Sequence, residues 1–464
     1  MSLKKLEEEL SRDLELLQYP PKPWLASGDD SYDVVIVGAG MGGLAVAFSL
    51  MREGISNITV LDENPSGLEG PWITYARMLI LRSGKTLAGP AVGLPKLTFQ
   101  AWYIAKYGEV AWERLYKIDT PIWMEYLIWY RKVLKIPVKN NCKVTDIKPQ
   151  GGLIEIEIEG GKALRSRKVV LATGRSGFGG NSVPHFIKGI PKEFYAFSAD
   201  TIDFAALEGK TVGVVGVGAS GFDAAAAALE CGAHSVTMLT RRKKVPHVNK
   251  FASVFYPGFG NGFFNLPDKA KIEFIKVGFD EGGLPPFESL DRLLVHKNFK
   301  VLTNQHIKHV SVEDKKIIVE CAEKLEFDFL ILATGFEVDG SKESVLKSIF
   351  ADVLLWKDKH EDISAKMGKF PYLGNNFQFL SKKVGEGDYL KNIYCFNYAA
   401  TLSHGLLSGD IPEISTGAIR VAKGIVSDFF VENWPLYLQR LKDYKEDEFV
   451  NEDYSFIKLP SHLT

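Results

Sequence analysis

Residues 34–50 read Val34-Val35-Ile36-Val37-Gly38-Ala39-Gly40-Met41-Gly42-Gly43-Leu44-Ala45-Val46-Ala47-Phe48-Ser49-Leu50. The unbroken apolar run before Gly38 is the pattern of a strand buried on both faces. The turn Gly38-x-Gly40-x-x-Gly43 then opens an apolar helix. Glycines at that spacing allow a tight turn, close backbone approach to a pyrophosphate and close helix–strand contact, while the helix N-terminus supplies a favourable dipole. A second strand, ITVLD, follows and ends at Asp62. Further on, LIEIEIE alternates Ile154, Ile156 and Ile158 with glutamates at the period of a half-buried strand. RKVVLATG then ends at Gly174.

The same order is written a second time. TVGVVGVGASGFDAAAAALECGA places Gly216-x-Gly218-x-x-Gly221, with Ser220 inside the turn, between an apolar strand and an Ala-rich helix. Its second strand, SVTMLTRR, ends at Arg241 and Arg242, and KKIIVECAEKLEFDFLILATG supplies a hairpin and a second A-T-G end at Gly335. Repetition makes a chance match to either turn far less plausible. The fold class expected is α/β, with two Rossmann-like dinucleotide-binding domains, the second inserted into the first. Residues 1–30 are expected to form an amphipathic helix and linker, 31–200 plus 325–464 the first domain, and 201–324 the second. The stretch from Lys243 to Lys300, rich in Phe, Pro and Gly, is too long for an ordinary connection and reads as a cover over the substrate or a surface insertion.

The second-strand ends distinguish the two nucleotides. Asp62 can accept from ribose hydroxyls and repels a 2'-phosphate, so the first site suits FAD or NAD. Arg241 and Arg242 can bind a phosphate bidentately, so the second suits NADPH.

The chain has 464 residues, 46% of them hydrophobic, and 56 Lys+Arg against 57 Asp+Glu, a balance that does not advertise nucleic acid or an anionic membrane. Its partners are expected to be small molecules. Cys142, Cys231, Cys321 and Cys395 show neither C-x-x-C nor metal-ligand spacing, which fits a reducing cytoplasm and argues against a dithiol oxidoreductase. No metal site is expected. Leu3, Leu6, Leu10, Leu14 and Leu17 give an amphipathic N-terminal helix, and no apolar run is long enough for a membrane span. In TPIWMEYLIWYRKVL, Thr120 reads as the N-cap and Pro121 as the first helical residue, with Trp123, Tyr126 and Trp129 in the core. Asp410 and Pro412 likewise read as a helix start. His247 and Asn249 read as loop residues.

These motifs resemble those of the flavin-containing monooxygenases and their class B relatives, from Asp33 to about Phe430. The resemblance rests on GAGMGGLA with Asp62, on EGPW from Glu69 to Trp72, on GVGASGFD from Gly216 to Asp223, on LTRR from Leu239 and on both A-T-G ends. SHGLLSGDIPEISTGAIRVAKGI, from Ser403, is similar to the family's C-terminal flavin-facing helix. The resemblance implies FAD held by Gly38, Gly40, Gly43, Asp62, Trp72, Gly174, Gly335 and Asp410. It implies NADPH held by Gly216, Gly218, Ser220, Gly221, Arg241 and Arg242. The implied cycle passes a hydride from NADPH to the flavin, activates O2 as a C4a-hydroperoxide and inserts one oxygen into a small N- or S-containing substrate. Arg82, Ser83 and Lys85 lie where the family approaches the isoalloxazine, and His404 is a further candidate near it. An Asp410 helix start would place positive dipole toward the reduced flavin. Phe197 stands where the family usually has His before Ser198, which leaves open a reductase or oxidase that does not oxygenate. Microsomal members end in a hydrophobic anchor, which the terminal FIKLPSHLT does not resemble.

Overall fold

A computed structural model of the chain describes residues 2–25 and 30–446; the terminal FIKLPSHLT lies outside them. The strand Tyr32–Val37 forms where the sequence is apolar and β-branched, and Val34, Val35 and Ile36 are wholly buried. It pairs in parallel with Ile58–Leu61 on one side and Leu164–Leu171 on the other. Val138–Lys139 extends the first edge, and Ile393–Cys395 adds beside Val169–Leu171. The hairpin Val144–Gln150 and Leu153–Ile158 joins the N-terminal half of Leu164–Leu171, with Ile154 and Ile156 buried as the alternation requires.

A second parallel sheet repeats the order. Thr211–Val215 lies between Ser235–Leu239 and Phe329–Leu332, and Phe299–Leu302 and Tyr195–Phe197 take the edges. A three-stranded antiparallel sheet, with strands His309–Glu313, Lys316–Glu320 and Lys324–Phe327, packs alongside.

The boundaries differ from those read in the sequence. Ladder pairing of Val212 with Phe329 and of Leu330 with Tyr195 puts residues 195–197 and 329–332 in the second sheet, outside the span 201–324. The Phe-rich excursion moves the other way. Its helices Pro257–Gly262 and Asp268–Glu281 send Phe259, Phe263 and Ile275 into the first unit's core, because that core leaves apolar side chains to cover there. Polar contacts fix the placement. Asp268 accepts from Tyr372 at 2.9 Å and pairs with His360 at 2.9 Å, and Arg420 donates to the Gly260 carbonyl at 2.9 Å.

Two helix starts also differ. The helix Thr120–Val133 has Asp119 at its N-cap position, without a side-chain capping bond, and Thr120 as its first residue, whose hydroxyl donates to the Met78 carbonyl at 3.2 Å. Trp123, Tyr126 and Trp129 are core residues as expected. Asp410 precedes a 3-10 turn, Ile411–Glu413, which leads into the helix Ile414–Glu432; its carboxylate makes no capping hydrogen bond. In the N-terminal helix Leu3–Leu16, Leu6, Leu10 and Leu14 are buried while Leu17 is its exposed C-cap. No helix among the described residues is long and apolar enough to cross a membrane.

The glycine turns explain how strand and helix are locked. A Cβ on Gly43 would stand 1.8 Å from the Gly38 carbonyl oxygen, and one on Gly221 2.4 Å from that of Gly216. Gly43→Ala is therefore expected to destabilise the protein by about 1–3 kcal/mol, the usual range for overpacking. Gly40→Ala, whose Cβ would meet nothing closer than the Gly70 Cα at 3.8 Å, should be nearly neutral. Equal denaturant midpoints for the two apoprotein variants would contradict this account.

Candidate active site

Both glycine turns open on one cleft of about 2440 Å³, large enough for two dinucleotides and a small molecule. Gly38 has φ +102° and Gly216 φ +117°, and added Cβ atoms there would lie 2.5 Å from the Ala172 oxygen and 2.3 Å from the Ala333 oxygen. Each A-T-G strand end is thus pressed against its own turn. The turns then hold two helices, Met41–Arg52 and Ala219–Glu230, whose N-caps Gly40 and Gly218 offer no side chain. Space beside those caps is open: a Cβ on Gly218 would meet only the Gly283 oxygen, at 3.5 Å. Unoccupied backbone donors at a helix N-terminus, facing a cavity across bare glycine, fit a pyrophosphate.

Gly38, Gly40, Asp62, Trp72, Gly174, Gly216, Gly218, Ser220, Arg241, Arg242, Gly335 and Asp410 all line the cleft. Gly43 and Gly221 sit behind it, where helix meets strand. Asp62 is buried, accepts from the Ala39 N–H at 2.7 Å and the Asn64 N–H at 2.9 Å, and so braces the turn while facing the cleft. Glu69 is buried and bound to Arg131 at 2.6 Å and Asn140 at 2.7 Å. That fixes the loop carrying Trp72, which packs edge-on against Trp123. At the second site Arg242 donates to the Asp280 carbonyl at 2.8 Å. Arg241 is exposed and has no side-chain partner among the described residues, which suits an anionic ligand.

Between the two turns stands a group of charges. Arg82, on the strand Ile80–Gly84, projects into the cleft with Ser83 beside it. Burial and the facing Arg175 lower the pKa of Arg82 from its usual value, with Asp410, Asp223 and Glu288 acting in the opposite sense. Asp410 has its carboxyl pKa raised by burial, against the pull of Arg175 and Arg82. The nearest Arg175 nitrogen is 3.9 Å from it. Asp223 is buried and binds the Ser289 hydroxyl at 2.5 Å.

Two expected site residues do not belong to this group. Lys85, just past the strand end at Gly84, does not line the cleft; it donates to the Trp112 carbonyl at 2.6 Å and lies over the Trp112 ring. His404 is buried between Phe264 and Phe377, the latter ring centroid 3.7 Å away, and burial holds its pKa well below the usual range. Phe197 packs on Tyr195 in the second unit's core and does not line the cleft. Of the loop residues, Asn249 reaches the cleft and His247 does not.

Sequence reading missed Arg175, Tyr398 and Arg77. The first follows Gly174 directly, and that adjacency to an A-T-G end was the available signal. Arg77 joins the two units by donating to the carbonyls of Ser198 and, at 2.6 Å, Asp200. Lys117 forms an ion pair across the units with Glu288, which also accepts from Tyr116 at 3.0 Å. Phe251, Phe255 and Phe279 of the excursion, with Leu284 and Phe287, give the cleft an apolar wall.

Comparisons with known proteins agree with this geometry. The chain is 34% identical over 464 residues to the FAD-dependent urate hydroxylase of Xanthomonas campestris pv. campestris, covering 97% of this chain and 98% of that one. It belongs to that protein's family. The chain is therefore an FAD-dependent oxidoreductase of the hydroxylase type. Residues 32–256 also match the pyridine nucleotide-disulphide oxidoreductase family. That span holds both glycine turns, at Gly38 and Gly216. In fold the chain is similar to the reduced ornithine hydroxylase of Pseudomonas aeruginosa, with a TM-score of 0.66, 13% identity, and 86% and 99% of the two chains covered. It is likewise similar to a Kutzneria ornithine N-hydroxylase determined with reduced FAD, NADP+ and L-ornithine, with a TM-score of 0.65, 16% identity, and 86% and 99% covered.

The open space at the two N-caps gives a paired test. Gly40→Asp puts a carboxylate where the first pyrophosphate would lie, and is expected to abolish FAD retention without shifting the apoprotein's melting temperature. Gly218→Asp should keep FAD bound and block flavin reduction by NADPH. Normal reduction in Gly218→Asp would show that the second turn is not the nicotinamide nucleotide site.

Proposed function

We propose that this protein is an NADPH-dependent FAD monooxygenase that hydroxylates a small nitrogen-rich heterocycle of the urate type. The observation that carries the reading is the pair of bare helix N-termini facing one cleft, with an unpartnered Arg241 at the end of the second unit's second strand. FAD, when bound, supplies hydride acceptance and O2 activation, chemistry that no side chain provides. The overall stoichiometry is one NADPH, one proton, one O2 and one substrate giving NADP+, water and hydroxylated substrate. The chain's own residues bind, orient and exclude water.

In this reading the N–H groups that follow Gly40 take the FAD pyrophosphate, and Asp62, already aligned by Ala39 and Asn64, faces the ribose. Gly38, Trp72, Gly174 and Asp410 border the flavin, and Gly335 closes the same wall from the second unit. Gly218 and Ser220 border the NADPH pyrophosphate, and Arg241, with Arg242 in support, reads the 2'-phosphate. The Phe251, Phe255 and Phe279 wall keeps water from the reacting centre. The name of the Xanthomonas relative supports the substrate class, and the NADP+ in the Kutzneria structure supports the coenzyme. Coupling is tested by consuming NADPH and O2 with urate present: loss of urate in step with NADPH, without peroxide, is expected. Undiminished urate with full peroxide release would make the protein an oxidase.

Coenzyme choice tests the role of Arg241. A charge-assisted contact to the 2'-phosphate is worth about 1.5–3 kcal/mol. At about 1.4 kcal/mol per tenfold, Arg241→Ala should weaken NADPH roughly 10- to 100-fold. NADH affinity, FAD content and the limiting reduction rate should hardly move. Equal weakening of NADH and NADPH would assign the basic run to a solvated strand end.

A further inference from the structure

Once the coenzymes' phosphates are assigned, positive charge is left over at the centre of the cleft. Arg82 reaches there from the first unit and feels Arg175 and Asp410 of that unit together with Asp223 and Glu288 of the second. Each of those acids is engaged elsewhere. Asp223 holds Ser289 at 2.5 Å and Arg292 at 3.5 Å, Glu288 holds Lys117, and Asp410 lies nearest to Arg175, at 3.9 Å. Arg82 itself makes no hydrogen bond or ion pair among the described residues. Arg82 is exposed to the cleft, so the five N–H donors of its guanidinium are open to a ligand there. Arg175 is also open to the cleft, its side chain 57% exposed and its guanidinium 5.4 Å from the Tyr398 ring centroid. Arg82 and Arg175 thus both line the cleft, and the carboxylate near both of them, Asp410, is 3.9 Å from Arg175.

FAD and NADPH do not need this charge. Their pyrophosphates have the helix N-termini after Gly40 and Gly218, and the 2'-phosphate has Arg241. We propose that Arg82 and Arg175 form an anion-recognition pair that holds the substrate, as a planar anion, between the two coenzyme sites. The proposal rests on the reading that this cleft hydroxylates a urate-type heterocycle. Urate's delocalised charge lies along the edge of a flat ring, an arrangement that planar guanidinium groups meet with parallel hydrogen bonds and that Lys does not reproduce.

The test is a titration of oxidised, FAD-loaded enzyme with urate in the absence of NADPH, followed by calorimetry. Arg82→Met and Arg175→Met are each expected to raise the urate Kd about 10- to 100-fold, and Arg82→Lys to fall between them and wild type. FAD content and the melting temperature of the FAD-loaded protein should stay unchanged in all three, which shows the variants are folded. Hypoxanthine, a neutral purine, should bind weakly and equally to wild type and variants. Benzoate, a planar anion that is not a purine, separates the two readings. If wild type hydroxylates urate and both Met variants keep its Kd, the pair is overturned and the urate reading stands. If wild type binds benzoate but not urate, and Arg82→Met loses benzoate, the urate reading falls and the pair stands. Binding of neither, or equal loss of urate and hypoxanthine in the variants, overturns the pair.

Discussion

At the foot of the helix Met41–Arg52 the Gly38 carbonyl comes so close to Gly43 that no side chain fits between them. That approach is the constraint from which the rest of the first unit follows. It holds the helix against the strand Tyr32–Val37 and points the helix's free N–H groups into the cleft. It also requires the neighbouring strand end, through Ala172, to lie against the turn. Gly216, Gly221 and Ala333 reproduce the arrangement in the second unit. A backbone packed this way delivers partial positive charge at a fixed place without committing any ionisable side chain to it.

Two such units make a reaction centre only if their open ends face each other. The chain achieves this by interleaving them. The linker that carries Ser198 and Asp200 is gripped by Arg77, the ion pair of Lys117 with Glu288 spans the mouth, and the excursion plants Phe259, Phe263 and Ile275 in the first core. The return of the chain to the first sheet is tied by the buried Lys168, which meets Glu432 at 2.7 Å and Asn392 at 2.9 Å. Breaking such a pair from one side leaves an uncompensated buried charge, so the interleaving is specified as well as stabilised. The excursion then has two functions in one segment: an anchor on the first unit and an apolar wall on the cleft.

What could be read in the sequence was what depends on local backbone demands. The apolar strands, both glycine turns and the alternation of Ile154 and Ile156 were legible because each follows from steric or periodic rules over a few residues. The boundaries were less so. Residues 195–197 carry no signal of their own, and only pairing with Leu330 assigns them to the second sheet. Asp410 read as a cap from its neighbours Ile411 and Pro412, yet its carboxylate answers to Arg175 and Arg82, which are remote in sequence. Lys85 differs from its expected place for a related reason: it follows the strand end at Gly84, and Trp112, remote in sequence, takes its ammonium. Arg175 was missed although it adjoins Gly174, since its meaning comes from Tyr398 and Asp410, contacts that only the folded chain creates.

The coenzyme sites and the centre between them are therefore built from different materials. Phosphates meet backbone dipoles fixed by glycine sterics, and few residue types satisfy those sterics, so the sites are stamped plainly on the sequence. Arg241, exposed at the end of the second unit's second strand, differs from them in offering a side chain to the cleft. The centre instead uses guanidinium groups mounted on the strand Ile80–Gly84 and on the residue after an A-T-G end, positions whose backbone would accept many side chains. A change there alters the charge offered to a small molecule while leaving both glycine turns, their helices and the interleaved cores as they are. The turns and the centre can therefore vary independently, and a fold fixed by glycine sterics is one that ornithine hydroxylases at 13–16% identity have in common with this chain.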